Sequence, residues 1–262
     1  MNCIGGPDLK NKKILSDSQK KVSTLFFDGA GTLFHVKGSV GQIYSEVARK
    51  YEIKLSPEVL ETEFKKAFRS SPPMAFPGLK KNLIHHREKE WWKNLVIRAL
   101  NGMVFPRFNS FFDELFERFR GNSGWVLFSE TRGVLRILKD KGYHLGIISN
   151  FDSRIYDVCR ALDIDSFFDS ITISSEVGAA KPNSKIFQVA LSKHQVEPEC
   201  ALHVGDSPEE DIEGARSVGI FPFLINRSGS FSKTGESSNP KTNEPFFQVI
   251  HDLKGVISFL SQ

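Results

Sequence analysis

After Trp125 the sequence alternates between short apolar runs and amphipathic segments, and this alternation constrains the fold more than any other feature. Four apolar runs, "YHLGIIS", "SITIS", "ALHVG" and "FPFLI", each follow a segment in which apolar residues recur at helical spacing. The helices are predicted at 130–141, 153–162, 183–194 and 208–218, with a last one at 247–260. Buried strands that alternate with amphipathic helices are typical of a parallel sheet covered by helices on both faces. The sequence therefore predicts an α/β fold.

A further apolar run, "TLFF" at 24–27, predicts the first strand, and a long helical stretch separates it from the other strands. Apolar residues recur in that stretch as three stripes, which we interpret as the core of a helical bundle. The stripes are Leu60, Phe64, Ala67 and Phe68; Trp91, Trp92, Leu95, Val96, Ala99 and Leu100; and Phe108, Phe111, Phe112, Leu115, Phe116 and Phe119. The predicted units are a polar leader at 1–22, a core at 23–38 and 125–262 with an exposed loop at 226–245, and an inserted helical cap at 39–124.

Polar side chains suited to catalysis stand where the predicted strands end. They are Asp28 after "TLFF", Ser149 and Asn150 after "YHLGII", Lys181 in the loop after "SITIS", and Asp206 after "ALHVG", followed by Asp211. The carboxyl ends of parallel strands lie at one edge of a sheet, where ligands bind. Crowded carboxylates repel one another unless a cation joins them, and Mg²⁺ suits oxygen ligands and phosphate. Lysine and serine suit phosphate oxygens, and a carboxylate among them can attack phosphorus. The pattern indicates phosphoryl transfer.

The order of these residues resembles the four motifs of the haloacid dehalogenase (HAD) superfamily. The matching segments are Asp28-x-x-Gly31-Thr32, Ser149-Asn150, Lys181-Pro182, and Gly205-Asp206-Ser207 with Asp211. The resemblance covers nearly the whole chain after residue 22. It implies a Rossmann-like parallel-sheet core with an inserted all-helical cap, hydrolase activity on a small phosphorylated or anionic metabolite, and Mg²⁺ as cofactor.

The resemblance also implies a role for each matching residue. These roles are Asp28 as nucleophile and Lys181 as catalytic cation; Thr32, Ser149, Asn150 and Lys181 as the phosphate-binding set; and Asp28, the main-chain carbonyl of Ala30, Asp206 and Asp211 as the metal set. For Asp211 the resemblance allows either direct ligation or a place behind the ligands. Its position near the start of a predicted helix also allows a simple interaction with the helix dipole.

Position 30 departs from the pattern of the superfamily's phosphatases. They carry there an Asp that protonates the leaving oxygen and later activates water, which Ala30 cannot do. Losing a general acid or base typically costs about 10²- to 10⁴-fold in rate. Haloacid dehalogenases also lack this acid, because halide leaves without a proton, but they need no Mg²⁺, whereas Asp206 with Asp211 resembles the metal-binding form of the fourth motif. Three functions therefore stay open: a weakened Mg²⁺-dependent phosphatase, a metal-independent haloacid-type hydrolase, and a catalytically impaired phosphate-binding protein.

Several polar residues near these motifs have open roles. His35 could replace the missing base or be structural, His85 and His86 could be exposed in the cap, and Arg154 could contact an anionic substrate or pair with a neighbour. Asp152 is interpreted as the cap of the helix that follows it.

Charge and hydropathy exclude some classes of partner. The net charge of +4 is too weak to favour nucleic acid as a partner. No apolar run reaches the roughly 18 residues of a membrane span. The first residues lack the apolar core of a secretory signal, so a cytoplasmic location is expected, with organelle targeting left open. A monomer and a homodimer are both compatible with the sequence.

Overall fold

The computed structural model describes residues 22–227, 229 and 247–261. The predicted polar leader lies outside these residues except for residue 22. The predicted exposed loop lies outside them except for residues 226, 227 and 229. Both stay predictions.

The described residues form strands and helices that alternate along most of the chain. The strands are β1 (Thr24–Phe27), β2 (Phe34–Val36), β3 (Trp125–Leu127), β4 (His144–Ser149), β5 (Ser170–Ile173), β6 (Ala201–Gly205), β7 (Phe221–Ile225) and β8 (Gln248–Ile250). The helices are α1 (Val40–Arg49), α2 (Pro57–Arg69), α3 (Lys81–Ala99), α4 (Phe108–Arg118), α5 (Thr131–Asp140), α6 (Ile155–Ala161), α7 (Ser174–Val177), α8 (Ser184–His194), α9 (Gly214–Ser217) and α10 (Lys254–Leu260). None of the helices in this part of the chain is both long enough and apolar enough to cross a bilayer.

Six strands form one parallel sheet in the order β5-β4-β1-β6-β7-β8. Side chains of β1 alternate between its faces, as the period of a strand requires. Leu25 and Phe27 join a buried cluster that includes Val158 of α6, whereas Phe26 joins a cluster with Phe187 of α8. Helices therefore cover both faces of the sheet, which confirms the predicted α/β class.

The end of the chain departs from the sequence-based prediction. Residues 247–260 were expected to form one helix, but the structure has β8 there and α10 begins only at Lys254. The prediction was wrong because Val249 and Ile250 pair in register with Leu224 and Ile225 of β7. Whether residues 248–250 form a strand depends on pairing with the edge of β7, and the sequence of this segment alone does not reveal such a partner. The helix predicted at 208–218 also begins with a π-helical turn, Pro208–Glu213.

A two-stranded antiparallel ribbon closes the base of the helical insertion. Phe34 of β2 lies opposite Leu127 of β3, and Val36 lies opposite Trp125. Helices α1 to α4 lie between these strands, within the stretch predicted as the cap. At the start of α2, the Ser56 hydroxyl accepts a hydrogen bond from the Val59 amide and so caps the helix. The ribbon follows β1 within seven residues and so ties the insertion to the end of the sheet where β1 stops.

Candidate active site

Asp28 lies where β1 ends, between its two neighbouring strands. Phe27 pairs with Ile147 of β4 and with Val204 of β6, so the next residue emerges between the ends of both. The Asp28 amide donates to the Val204 carbonyl at 2.8 Å, which continues the sheet by one bond. The Ser149 hydroxyl at the end of β4 donates to Asp28 Oδ1 at 3.1 Å. The structure thus brings together the first two predicted motifs.

Lys181 completes a buried ion pair with the same oxygen of Asp28. Its ammonium donates to Asp28 Oδ1 at 2.7 Å and to Asp211 Oδ1 at 2.5 Å, and the residue is only 4% exposed. Burial alone would lower the pKa of Lys181, but the carboxylates of Asp211 and Asp28 outweigh it and raise the pKa. Lys181 is therefore charged at neutral pH. Among the described residues, Asp28 Oδ2 accepts no hydrogen bond, so one carboxylate oxygen is left for another partner.

Asp211 holds Lys181 from behind. Its Oδ1 also lies 2.8 Å from Nε2 of His203, and its Oδ2 accepts the Ser207 amide at 3.1 Å. Burial alone would raise the pKa of Asp211, but Lys181 and His203 outweigh it and lower the pKa. Both of its oxygens are engaged, so these contacts favour the place behind the ligands. Direct contact of Asp211 with a metal stays a prediction. Sequence reasoning missed His203, although it is the one polar side chain inside the apolar run "ALHVG".

The turn after Asp28 needs a glycine at position 31. Gly31 has φ +95°, and a Cβ built on it would lie 2.3 Å from Oδ2 of Asp206. A side chain there would be strained and would also displace this carboxylate. The turn therefore holds its main chain close to Asp206, as the predicted metal site requires.

The main-chain carbonyls of the same turn have different partners. The Gly29 carbonyl accepts the Leu33 amide at 2.8 Å, and the Gly31 carbonyl accepts Arg227 Nε at 3.3 Å. The Ala30 carbonyl between them accepts no hydrogen bond from the part of the chain that the structure describes. This oxygen is thus free for the metal contact predicted for it.

Arg227 fixes the turn from outside, and sequence reasoning missed it. Its guanidinium donates to the Thr32 carbonyl at 2.7 Å and pairs with Glu130 at 2.8 Å. It also stacks on Phe128, 3.4 Å from the ring centre. Arg227 lies at the edge of the predicted exposed loop, where one arginine carries no signal of such a role. Thr32 is fully buried, and its hydroxyl has no hydrogen-bond partner in the described chain. Its contact with phosphate stays a prediction, and this burial does not favour it.

Asn150 orients the loop that carries Lys181. Its side-chain oxygen accepts the Lys181 amide at 2.7 Å, and its Nδ2 donates to the Lys181 carbonyl at 3.0 Å. The same Nδ2 donates to Glu210 at 3.0 Å. Burial raises the pKa of Glu210, and the nearby carboxylates of Asp211 and Asp28 add to this while Lys181 opposes it. Glu210 is a further acidic residue of the site that the motifs did not identify.

Carboxyl groups outnumber cations in this cluster. Burial raises the pKa of Asp28, with Lys181 opposing and Asp211 adding to the shift. The pKa of Asp206 is raised to about 7. Desolvation is the largest cause and the charges of Asp28 and Asp211 add to it, although Asp206 is exposed at the surface. A divalent cation would relieve this repulsion, so the donor set fits Mg²⁺. Among residues 22–227 and 247–261, no three acidic, histidine or cysteine side chains are grouped so that they could hold an ion by themselves.

A cavity of about 560 Å³ lies between the cap helices and the core. Ala30, Asn150 and Lys181 line its core side. Its other walls are mostly aromatic and include Tyr44, Phe64, Phe68, Trp91, Trp92 and Phe116. The interpretation of all three stripes as bundle core is therefore wrong in part. Rings from all three stripes line the cavity, Phe116 of the third stripe among them, although the third stripe is almost wholly buried.

Arg154 pairs with a neighbour, which is one of the two roles left open. Its guanidinium donates to Asp152 at 2.9 and 2.6 Å and to the Phe116 carbonyl at 3.1 Å. It lies over the rings of Phe116 and Trp92, at 4.0 and 4.9 Å from their centres. The N-cap residue of α6 is Arg154, so the prediction that Asp152 caps this helix is wrong. Asp152 instead lies two residues earlier and accepts a hydrogen bond from the Arg154 amide.

The histidines of open role make no hydrogen bond or ion pair with Asp28. His85 Nδ1 lies 3.3 Å from the Ser153 hydroxyl, and His86 pairs with Glu90 at 3.2 Å on the surface of α3. His35 is exposed on β2 and does not line the cavity. None of these contacts indicates a substitute for the missing base.

A family model described as haloacid dehalogenase-like hydrolase matches residues 22–219. The chain belongs to this family. Among curated relatives, haloacid dehalogenase-like hydrolase domain-containing protein 3 of Mus musculus is 31% identical over 222 residues, which cover 83% of this chain and 87% of the mouse protein. The predicted membership of the superfamily and the hydrolase class are thereby confirmed.

Solved structures of both kinds of HAD enzyme resemble the chain. A HAD phosphatase from Thermococcus onnurineus has TM-score 0.60 and 23% identity, over 91% of this chain and 98% of that one. A 2-haloacid dehalogenase from Pseudomonas syringae pv. Tomato DC3000 has TM-score 0.57 and 20% identity, over 92% of this chain and 98% of that one. At these identities the likeness confirms the Rossmann-like HAD fold and leaves the substrate open.

Proposed function

We propose that this hydrolase is a Mg²⁺-dependent phosphatase that acts on a small phosphorylated metabolite through an aspartyl phosphate on Asp28. The observation that carries the proposal is the fixed carboxylate of Asp28. Ser149 and Lys181 hold its Oδ1, and Oδ2 has no partner among the described residues. A carboxylate oriented in this way beside a buried ammonium suits attack on an anionic phosphorus centre.

The chain's residues divide the reaction between them. A carboxylate oxygen of Asp28 attacks phosphorus, the ester bond breaks, and its electron pair leaves with the alcohol oxygen. Lys181 offsets the negative charge on Asp28 and on the transferring group, and the Ser149 hydroxyl orients the same carboxylate. Water then attacks the phosphorus of the aspartyl phosphate, which releases inorganic phosphate and restores Asp28.

Asp28, Asp206 and the Ala30 carbonyl would hold the magnesium ion. When bound, the ion would neutralise phosphate charge and stabilise the charge that develops in the transition state. Calorimetry should show that Asp206→Ala loses Mg²⁺ affinity, while Asp163→Ala, at an exposed surface position, keeps it. Equal affinity in both variants would remove Asp206 from the metal site.

A panel of phosphate monoesters, assayed with Mg²⁺ and with a chelator, tests the activity itself. The wild-type protein should release phosphate only with Mg²⁺, and Asp28→Asn, which keeps the shape but removes the nucleophile, should not. Turnover of every ester no greater than that of Asp28→Asn would refute the proposal. Mg²⁺ binding without turnover would instead support the impaired phosphate-binding protein.

A second candidate is a metal-independent hydrolase of small haloacids. Ala30 favours it, because halide departs without a proton, and so do the apolar walls of the cavity. Release of halide from 2-haloacids in the presence of a chelator would support this function over the phosphatase.

A further inference from the structure

The cavity that Ala30 and Lys181 line has walls that suit a flat apolar group. Asp28 itself does not line it, but lies 2.7 Å from the Lys181 ammonium. Ten aromatic side chains line it, and we call six of them the aromatic wall: Tyr44, Phe64, Phe68, Trp91, Trp92 and Phe116. Trp91 and Trp92 meet edge to face at 5.0 Å, and Phe68 packs against both at 6.0 and 6.3 Å. Rings arranged in this way bind another ring through edge and face contacts. A volume of about 560 Å³ is within the range of pockets for organic ligands.

Most polar groups that line the cavity already have hydrogen-bond partners. The exceptions among the described residues are the hydroxyl of Tyr44 and the charged groups of Arg69 and Glu209. The Trp91 indole N–H donates to the Pro72 carbonyl at 2.9 Å, and the Trp92 indole donates to Asp152. Arg154 is held by the same Asp152, and the Asn150 amide is held by the loop at Lys181. The hydroxyls of a sugar or polyol would therefore lose water here and gain few hydrogen bonds, which costs free energy. The wall disfavours polar leaving groups.

Ala30 lines the same cavity on its core side, next to Asn150 and Lys181. Position 30 offers no group that could protonate the leaving oxygen. An ester of a strongly basic alcohol would then have to expel an alkoxide, whereas a phenol departs as an anion more easily, its hydroxyl having a pKa near 10 as in tyrosine. The missing acid and the aromatic wall therefore favour the same kind of leaving group.

We propose that the substrate is a phosphate monoester of a phenol, with its ring held by the aromatic wall. This inference rests on the proposed function. Asp28 attacks phosphorus and the bond from phosphorus to the phenolic oxygen breaks. The electron pair leaves as a phenolate, which takes a proton from water outside the site. Water then hydrolyses the aspartyl phosphate, so that one ester and one water give one phenol and one phosphate.

Phenyl, 2-naphthyl and cyclohexyl phosphate, a sugar phosphate and acetyl phosphate, each with Mg²⁺, form the test set. Phenyl phosphate should exceed cyclohexyl phosphate, which has a similar shape, by about 10²-fold or more in kcat/KM, because no acid assists the alkoxide. Across substituted phenyl phosphates the rate should rise steeply as the phenol becomes more acidic. Equal turnover of the cyclohexyl, sugar and phenyl esters would overturn the inference and leave the proposed phosphatase standing.

Phe68→Ser tests the wall, and Val59→Ser is its control. Both side chains lie on α2 and are exposed, 47% for Phe68 and 58% for Val59, but only Phe68 lines the cavity. Phe68→Ser should lower kcat/KM for 2-naphthyl phosphate, relative to acetyl phosphate, by roughly 3- to 10-fold, the size of one aromatic contact. Val59→Ser should leave that ratio unchanged.

The two variants and the wild type separate the possible failures. An unchanged ratio in Phe68→Ser, with folding confirmed by its thermal midpoint, would mean that the wall does not hold the ring. Absence of turnover of every ester and of acetyl phosphate, down to the level of Asp28→Asn, would instead refute the proposed function, and the inference with it.

Discussion

Restoring an acid at position 30 should convert the site into a better phosphatase for esters with poor leaving groups. Ala30→Asp places a carboxyl two residues after Asp28, on the core side of the cavity. Such a carboxyl could protonate the leaving oxygen and then activate water for the second step. If the rest of the phosphoryl-transfer site is complete, its absence is what limits alkyl phosphates.

The size of the expected gain follows from the usual contribution of a general acid, and the structure shows that the new carboxyl has room. The cavity has about 560 Å³ of space beside Ala30, so the three added heavy atoms have room. The new carboxyl would lie near Asp28 and Asp206, where desolvation and like charges raise the pKa of Asp206 to about 7. A carboxyl with its pKa raised toward the working pH is an efficient general acid. We expect kcat/KM for alkyl phosphates to rise by about 10²- to 10⁴-fold.

The assay compares cyclohexyl phosphate with 4-nitrophenyl phosphate for the wild type, Ala30→Asp and Ala30→Asn. The Asn variant has nearly the same shape but no proton to give. The gain should appear in the Asp variant alone and mainly for the cyclohexyl ester. If Ala30→Asp folds, binds Mg²⁺ in calorimetry and still matches Ala30→Asn on cyclohexyl phosphate, position 30 is not a vacant acid site. The chemistry of Asp28 would then be something other than hydrolysis of phosphate monoesters.

Two further predictions concern the contact between cap and core. Glu88 on α3 is fully buried and accepts hydrogen bonds from the amide and hydroxyl of Ser153, so Glu88→Ala should lower the free energy of unfolding by about 2–4 kcal/mol in urea titrations. The control Glu90→Ala, on the exposed side of α3, should cost much less. Burial alone would raise the pKa of Asp152, but Arg154 outweighs it and lowers the pKa below 3.8. The stability from this pair is present above that value and lost as pH falls through the folded-state pKa, so Asp152→Asn should show a smaller loss of stability between pH 7 and acid than the wild type.

The sequence predicted best those parts of the fold whose signal is local. The bounds of β1, β6 and β7 agree with the apolar runs "TLFF", "ALHVG" and "FPFLI", because a buried strand must be apolar along its whole length. Strand β8 and the ribbon of β2 with β3 were not predicted. Each has only three residues, and β2 pairs with a strand on the far side of the insertion. Pairing partners so distant leave no pattern in either segment alone.

The candidate site shows the same division. The order of the motifs identified Asp28, Ser149 and Lys181 as site residues. In the structure, the Ser149 hydroxyl and the Lys181 ammonium lie 3.1 and 2.7 Å from Asp28 Oδ1. His203 and Arg227 were missed because they act through residues already identified and belong to no motif. His203 touches Asp211, and Arg227 holds the carbonyls of the turn after Asp28. Spacing along the chain can predict which groups converge on a substrate, but it does not reveal the groups that hold them in place.

Two features that are unrelated along the sequence lie in one cavity of the folded chain. Considered alone, Ala30 indicates only that an acid is missing at position 30. The stripe with Trp91 and Trp92, considered alone, indicates only packing within the helical bundle. Side by side, they set two conditions on one substrate, because Ala30 requires a leaving group that departs without a proton and the rings require one that is apolar and flat. A phenol meets both conditions, and an alkyl or sugar alcohol meets neither. If the protein is the phosphatase that we propose, we infer that the absence of the acid selects the leaving group and is not the loss of a catalyst.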